Sequence, residues 1–180
     1  MTFEKTLLKD VFIINNFNVN DERGTFVKTF NKNVFNELNL NFEIRESYFS
    51  ISKCKVIRGM HFQLPPHDHE KLVYVTQGAI LDVVIDLRRN SNTYSKFISV
   101  ELSDQNKKSI FIPRGFAHGF KSLLDDTITV YNVATEYNSI ADSGIRYDSF
   151  GFDWEVENPI ISKRDLSFAG INNFLKNNPF

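Results

Sequence analysis

The alternation of apolar and polar positions in the middle of the chain predicts a succession of β-strands. Residues 71–77 (KLVYVTQ) and 79–87 (AILDVVIDL) are rich in β-branched and aromatic residues, and the glycine between them predicts a hairpin. Three more strands are predicted at 96–102, 108–113 and 126–135, the first two joined by a polar turn. Closely spaced strands joined by short turns are typical of an antiparallel sandwich or barrel.

Helical patterns are confined to two short stretches, residues 31–39 and 168–176. No repeat, low-complexity run or Gly/Ser/Pro-rich linker divides the chain, and 180 residues suffice for one domain with a sizeable core. We therefore predict an all-β barrel with a phenylalanine-rich core and a few short helices, forming a single domain over residues 1–180.

Composition and charge narrow the classes of function. A net charge of -1 gives the chain no overall attraction for nucleic acid, and 42% hydrophobic residues are usual for a globular protein. No stretch approaches the roughly 20 apolar residues that a membrane span requires, and the first ten residues lack the pattern of a signal peptide. The single cysteine, Cys54, cannot form an internal disulfide. These features predict a cytoplasmic protein that binds neither nucleic acid nor membrane.

The histidines raise the question of a metal site. His67 and His69 have the His-x-His spacing that lets two imidazoles on one strand face hold an ion, and His118 would supply a third. However, no carboxylate follows the pair in the next strand beyond Glu70, and a double proline before the pair predicts a loop. The pattern favours two solvated loop histidines, with a metal-dependent jelly-roll enzyme as the alternative.

The segment 56–66 (VIRGMHFQLPP) places a cation, Arg58, and a proton carrier, His61, on one predicted strand. Odd and even positions of a regular strand face opposite sides, so these two side chains cannot share a face of it. We therefore predict a bulge or bend near Gly59, or a wide cavity mouth around the end of the strand.

Eight segments follow one another along the chain as in a known enzyme family: VIRGMHFQLPP, EKLVYVTQG, DVVIDLRRNSNTY, ELSDQN, IPRGFAHGF, VYNVATEYN, GIRYDSFGFDW and PIISKRD. In order and near-spacing they resemble the dTDP-4-dehydrorhamnose 3,5-epimerase family, and the resemblance extends from residues 21–26 to 161–165. It implies a double-stranded β-helix (a jelly-roll, cupin-like fold), a homodimer, no cofactor and no metal. It also implies that the substrate is a nucleoside-diphosphate 4-keto-6-deoxyhexose, inverted at C3, C5 or both for deoxysugar and surface polysaccharide (O-antigen) synthesis.

The chemistry of that family accounts for the residue types at the matching positions. A ketone at C4 acidifies the protons at C3 and C5, so inversion needs a base on one face of the ring and an acid on the other. His61 matches the family's base, since imidazole titrates near neutrality, and Asp165 matches the carboxylate that fixes its tautomer. Tyr131 matches the opposite-face acid, and Lys71 is assigned to stabilising the enolate oxygen.

Other positions match substrate contacts of the family. Arg58 matches a contact to the diphosphate, because a guanidinium offers paired donors to phosphate oxygens. His118 matches a residue of the sugar pocket, which we assign to orienting the sugar. Arg23 matches a position near the nucleotide, on a segment that can come from the dimer partner. Lys163, two residues before Asp165, is a further candidate contact.

The chain departs from the family around the nucleotide. The family typically carries an acidic residue at the position of Lys28, and Gln and Asn at those of Glu46 and Tyr48. A carboxylate suits an exocyclic amino group, and a lysine suits a carbonyl or ring nitrogen. Thymine, which Tyr48 would hold by stacking, is the default; cytosine and guanine stay open as alternatives.

Two other functions remain open from the sequence. A 3,4-ketoisomerase on the same fold would not need the acid at Tyr131, and a non-catalytic sugar-nucleotide binding module would need no acid–base set at all. Relatives often carry Lys at the position of Asn132, which leaves open whether C3, C5 or both are inverted.

Overall fold

The computed structural model describes all 180 residues and is built mainly of antiparallel β-strands. The strands are β1 (Thr2–Lys5), β2 (Phe12–Asn15), β3 (Phe17–Asp21), β4 (Gly24–Lys28), β5 (Glu46–Ser52), β6 (Ile57–Gln63), β7 (Lys71–Gln77), β8 (Ala79–Asp86), β9 (Phe97–Ser103), β10 (Lys108–Ile112), β11 (Phe116–Ser122), β12 (Thr127–Val133) and β13 (Asp142–Gly144). A six-stranded sheet has the order β1-β2-β10-β7-β12-β5, and a five-stranded sheet has the order β13-β6-β11-β8-β9. Strands β3 and β4 form a separate hairpin. The all-β prediction is confirmed.

The helices are few and short: α1 (Lys32–Glu37), α2 (Lys163–Ser167) and α3 (Ile171–Phe174), which continues into a 3₁₀ turn (Leu175–Asn177). None of them has the length and apolar character needed to cross a membrane. The two predicted helices are present in shortened form, whereas α2 was not predicted. Helix α2 begins after Ser162, whose hydroxyl accepts a hydrogen bond from the backbone N–H of Asp165.

Strands β7 and β8 are consecutive in sequence but lie in different sheets, so the predicted hairpin over residues 71–87 is wrong. Strand β7 pairs with β10 and β12, whereas β8 pairs with β9 and β11. Gly78, with a φ of 80°, turns the chain from one sheet to the other, and its N–H donates to Asp104. Consecutive strands that alternate between two facing sheets form a jelly roll. The fold is therefore the cupin-like jelly roll that the resemblance implied.

Apolar side chains from both sheets fill the space between them. A cluster of 12 buried residues includes Val73 from β7, Val84 from β8, Phe116 and Phe120 from β11, and Tyr131 from β12. The opposite face of the five-stranded sheet is also covered, because the C-terminal segment packs a second cluster against it. A sheet buried on both faces explains the nearly continuous apolar run of β8.

Strand β6 is irregular at the position that the sequence indicated. In its pairing with β11, His61 lies opposite His118 and Arg58 lies opposite Phe120, so three steps on β6 match two steps on β11. The extra residue is a β-bulge, and it resets the alternation of side chains. His118 and Phe120 share a face of β11, so Arg58 and His61 share a face of β6. The predicted bulge is confirmed.

Gly59 makes this bulge sterically feasible. Its φ is +140°, and an added Cβ would lie 2.5 Å from the Cα of Gly119 on the neighbouring strand. No other residue type adopts this backbone at so close an approach without displacing β11.

Replacing Gly59 with Ala is expected to lower the free energy of unfolding by about 3 kcal/mol, because the methyl group adds overpacking to backbone strain. Urea unfolding followed by tryptophan fluorescence measures this change. Gly170→Ala is the control, since a Cβ there would meet only Ser149 at 3.4 Å or more. Equal stability of the two variants would contradict this account of the bulge.

Candidate active site

A cavity of about 480 Å³ opens where several strands of the two sheets end. Most of the residues that line it are polar or charged. The lining residues are Glu46, Tyr48, His61, Phe62, Gln63, His69, Lys71, Val133, Tyr137, Asp142 and Arg164. Strands β5, β6, β7 and β12 supply most of them, so the two sheets hold these side chains in place.

His61 and Asp165 form a hydrogen-bonded pair at this cavity, with 2.9 Å between His61 Nε2 and Asp165 Oδ1. The Asp165 side chain is almost completely buried, and its second oxygen accepts the backbone N–H of Gly59 at 3.1 Å. A carboxylate is an acceptor, so the pair favours the tautomer with the proton on Nε2. Nδ1 of His61 is then free to take up a proton.

The electrostatics of the pair keep the imidazole neutral near neutral pH. Burial lowers the pKa of His61; Asp165 opposes this shift, and the cations Lys71 and Arg164 reinforce it. Burial acts to raise the pKa of Asp165, but hydrogen bonds from His61, Gly59 and Ser162 together bring it below its ordinary value. The result is an uncharged base supported by an ionised carboxylate.

Two further side chains direct polar groups toward the interior beside His61. Lys71 is buried, donates from Nζ to the backbone oxygen of His61 at 3.2 Å, and has its pKa lowered to about 8, chiefly by burial. His118 lies on the interior face of β11 and pairs through Nε2 with Asp82 Oδ2 at 2.7 Å, both side chains being buried. Asp82 was not among the predicted site residues, because on sequence alone it is one polar residue in an apolar strand.

Tyr131 lies just behind the cavity wall rather than on it. Its ring stacks on Tyr48 at 4.9 Å between centroids, and its hydroxyl lies 3.3 Å from Ser50 Oγ. Burial raises the pKa of Tyr131 well above its ordinary value. Tyr48, directly opposite Tyr131 in the pairing of β5 with β12, is the phenol that lines the cavity.

Arg58 and Arg164 both lie beside His61. Arg58 donates to Ser52 Oγ at 3.0 Å and borders, with His61, Arg164 and Asp165, an adjoining depression of about 320 Å³. Arg164 Nη1 lies 3.2 Å from His61 Nε2. Sequence reasoning selected Lys163, which is exposed and lines neither space; the signal that could have identified Arg164 is its position next to Asp165.

Two acidic residues and one aromatic residue complete the cavity lining: Glu46, Asp142 and Tyr137. Glu46 accepts the backbone N–H of Tyr137 at 2.7 Å, which leaves its other oxygen without a backbone partner. Asp142 accepts from Arg164 at 2.6 Å and from the Tyr137 hydroxyl at 3.4 Å. Tyr137 and Asp142 were not predicted from the sequence, because their stretch of chain reads as a polar loop.

The β3–β4 hairpin holds the two remaining predicted residues, and neither reaches the cavity of its own chain. Arg23 is exposed and binds Asp21 within the hairpin turn. The Lys28 ammonium lies 5.9 Å from the centre of the Phe17 ring. Any contribution of these residues to this site would have to come from a second copy of the chain.

The histidines of the alternative metal site bind other partners. His69 lies at the cavity wall, with Nδ1 2.6 Å from Thr135 Oγ1, and so is not the solvated loop residue that we predicted. Burial and nearby cations lower its pKa to about 3. His67 Nε2 lies 3.1 Å from the side-chain amide of Asn138. The structure contains no group of three or more His, Cys, Asp or Glu residues that could hold a metal ion.

Proton transfer at a carbon next to a carbonyl needs a base and a group that stabilises the enolate oxygen, and His61 and Lys71 provide the two at this cavity. On this fold the combination defines a jelly-roll isomerase. Comparison with known proteins is specific: the sequence model of the dTDP-4-dehydrorhamnose 3,5-epimerase family matches residues 5–173. The chain belongs to this family.

Individual relatives align with this chain over nearly their whole length. The chain is 42% identical to a dTDP-4-dehydrorhamnose 3,5-epimerase of Methanothermobacter thermautotrophicus, covering 92% of both sequences, and 38% identical to one of Shigella flexneri, covering 93% of this chain and 94% of the relative. The crystal structure of the Bacillus anthracis enzyme, with TDP and PPi bound, has a TM-score of 0.91 at 34% identity, covering 94% of this chain and 99% of that one. A Legionella pneumophila enzyme in complex with dTDP-4-keto-L-rhamnose has a TM-score of 0.90 at 30% identity, covering 95% and 93%.

Replacing Asp165 with Asn is expected to lower the pKa of His61 further, because the carboxylate stabilises the imidazolium form. An NMR titration of the His61 ring measures this change. Asp148→Asn, which disrupts the exposed pair with Arg146, serves as the control. An unchanged or raised His61 pKa in the Asp165 variant would contradict the electrostatic role of the pair.

Proposed function

We propose that the protein is a cytoplasmic epimerase that inverts C3, C5 or both in a dTDP-linked 4-keto-6-deoxyhexose. The observation that carries this proposal is the pair formed by His61 and the buried Asp165 at a cavity that also contains a buried ammonium. Family membership supports the substrate class, since the Legionella relative was solved with dTDP-4-keto-L-rhamnose.

In the proposed mechanism, Nδ1 of His61 removes a proton from the carbon next to the ketone. The C–H electron pair moves toward the C4 oxygen, and Lys71, with His118 orienting the sugar, stabilises the resulting enolate. The Lys71 ammonium is available below about pH 8, where its pKa lies. A phenol on the opposite face, assigned to Tyr131 by the family resemblance, returns a proton to carbon and completes inversion.

Substrate binding is assigned to the basic residues beside the cavity. Arg58 and Arg164 border the depression adjoining His61, where paired guanidinium donors suit the diphosphate. One observation favours a nucleobase other than thymine. The Glu46 carboxylate lines the cavity and suits the amino group of cytosine or guanine.

We also propose that the protein forms a homodimer through β5 and the β3–β4 hairpin. Strand β5 is the edge of the six-stranded sheet, and Phe49 and Ile51 on its outer side are 64% and 56% exposed. The hairpin likewise exposes Phe17 and Phe26. Exposed apolar side chains beside an unpaired strand edge favour association with a second copy. A partner's hairpin would bring Arg23 toward the cavity.

Incubation with 4-keto-6-deoxyglucose linked to dTDP, CDP or GDP in deuterated water, followed by proton NMR, tests proton exchange at carbon and nucleotide preference together. The wild type is expected to take up deuterium and to prefer dTDP. His61→Ala is expected to abolish uptake at both C3 and C5, because the variant lacks the imidazole that removes the proton in the proposed mechanism. Retained uptake at either carbon would remove His61 from this role, and preference for CDP or GDP would change the assigned substrate.

The dimer is tested by Phe49→Lys, which is expected to yield monomers in sedimentation velocity, since a buried unpaired charge opposes association. Leu7→Lys alters an equally apolar residue that is 86% exposed and lies outside the proposed interface. Dimers of the Phe49 variant at wild-type affinity, or a monomeric wild type, would rule out this interface.

A further inference from the structure

Two tyrosines, one behind the other, form the wall of the cavity at β5 and β12. Tyr48 and Tyr131 are directly opposite in the strand pairing, and their rings stack with an interplanar angle of 21°. Side chains at paired positions project from the same face of a sheet, so both phenols point toward the same space. Tyr48 is the nearer of the two to the ligand, because it lines the cavity whereas Tyr131 lies beneath it.

The hydroxyls of the two tyrosines differ in exposure and in hydrogen bonding. The Tyr131 hydroxyl is enclosed, with Ser50 as its partner, and the residue is only 9% exposed. Tyr48 is 43% exposed, and its hydroxyl has no hydrogen-bond partner in the protein. Partial burial of the ring, together with the nearby carboxylates of Glu46 and Asp142, raises the pKa of Tyr48 to about 12. Tyr48 therefore holds its proton at neutral pH and has a free donor at the cavity surface.

We propose that Tyr48 is a second proton donor to the enolate, acting together with Tyr131 on the face of the sugar away from His61. This inference rests on the proposed epimerase function and adds a catalytic residue that the resemblance does not supply, since the family typically has Asn at this position. Because the two phenols lie at different depths, they can donate protons to different carbons beside the ketone. Tyr48 would act from its position at the cavity surface.

The proposed proton transfers need no reactant other than the substrate and water. His61 takes the proton from carbon as the C–H bond breaks and the electron pair passes into the enolate. The O–H bond of Tyr48 breaks as the enolate pair forms a new C–H bond on the other face. The Tyr48 phenolate then recovers a proton from water in the open cavity, and the His61 imidazolium releases one to water.

Single and double phenylalanine variants test the proposal by the same NMR assay in deuterated water. Tyr48→Phe is expected to slow inversion at one of the two carbons by at least about 10-fold, while deuterium uptake from the His61 side changes by less than about 2-fold. Tyr131→Phe is expected to spare uptake more than inversion and to retain inversion at the carbon served by Tyr48. The double variant is expected to exchange without inverting.

Tyr74→Phe is the matched control, because it removes the same hydroxyl from a residue of β7 that does not line the cavity. Thermal unfolding and dTDP binding are expected to be unchanged in Tyr48→Phe, because phenylalanine keeps the ring that would stack on thymine and loses only the hydroxyl. Wild-type inversion at both carbons in this variant, or equal loss of uptake and inversion, would overturn the proposal. A wild type that takes up no deuterium would instead refute the proposed function, so the two failures are distinguishable.

Discussion

The site depends on one buried charge, the carboxylate of Asp165. Burying a carboxylate is costly, and hydrogen bonds to its oxygens offset that cost. One oxygen is bound by His61 and the other by the backbone N–H of Gly59, both on β6. His61 and Asp165 are 104 positions apart in sequence, so this contact ties helix α2 to the sheet. The same contact selects the tautomer of His61, which links the packing of the chain end to the chemistry of the base.

The bulge in β6 gives that carboxylate its partners. It turns the Gly59 N–H toward Asp165 and brings Arg58 and His61 to one face of the strand. The close approach of Gly119 on β11 leaves no room for a side chain at Gly59. A local backbone irregularity therefore allows the anion-binding and proton-transferring groups to lie beside one another on a rigid strand.

The charges around the cavity are arranged for a reaction that develops negative charge. His61 is neutral, and Lys71 is buried nearby with Asp82 and Asp142 favouring its charged form. Burial of Lys71 away from water strengthens its interaction with an enolate oxygen. On the six-stranded sheet, whereas His61 is on the five-stranded one, the stacked phenols of Tyr48 and Tyr131 retain their protons, because their surroundings raise both pKa values. Base and donors are thus held in complementary protonation states by their surroundings.

By itself the sequence determined the strand-rich architecture, the strands of the central region from β6 to β10 together with β12, and the bulge at Gly59, because alternation and the needs of glycine are local properties of a chain. Together with the family resemblance it also identified His61, Asp165 and Lys71, which the structure brings together. It mispaired β7 with β8 and chose Lys163 instead of Arg164, since strand partners and helix orientation depend on contacts between distant residues. Only the tertiary structure placed Tyr48 in front of Tyr131 and enclosed Asp82 beside His118. These arrangements arise where strands remote in sequence pack together, and no local pattern records which side chain ends nearer the cavity.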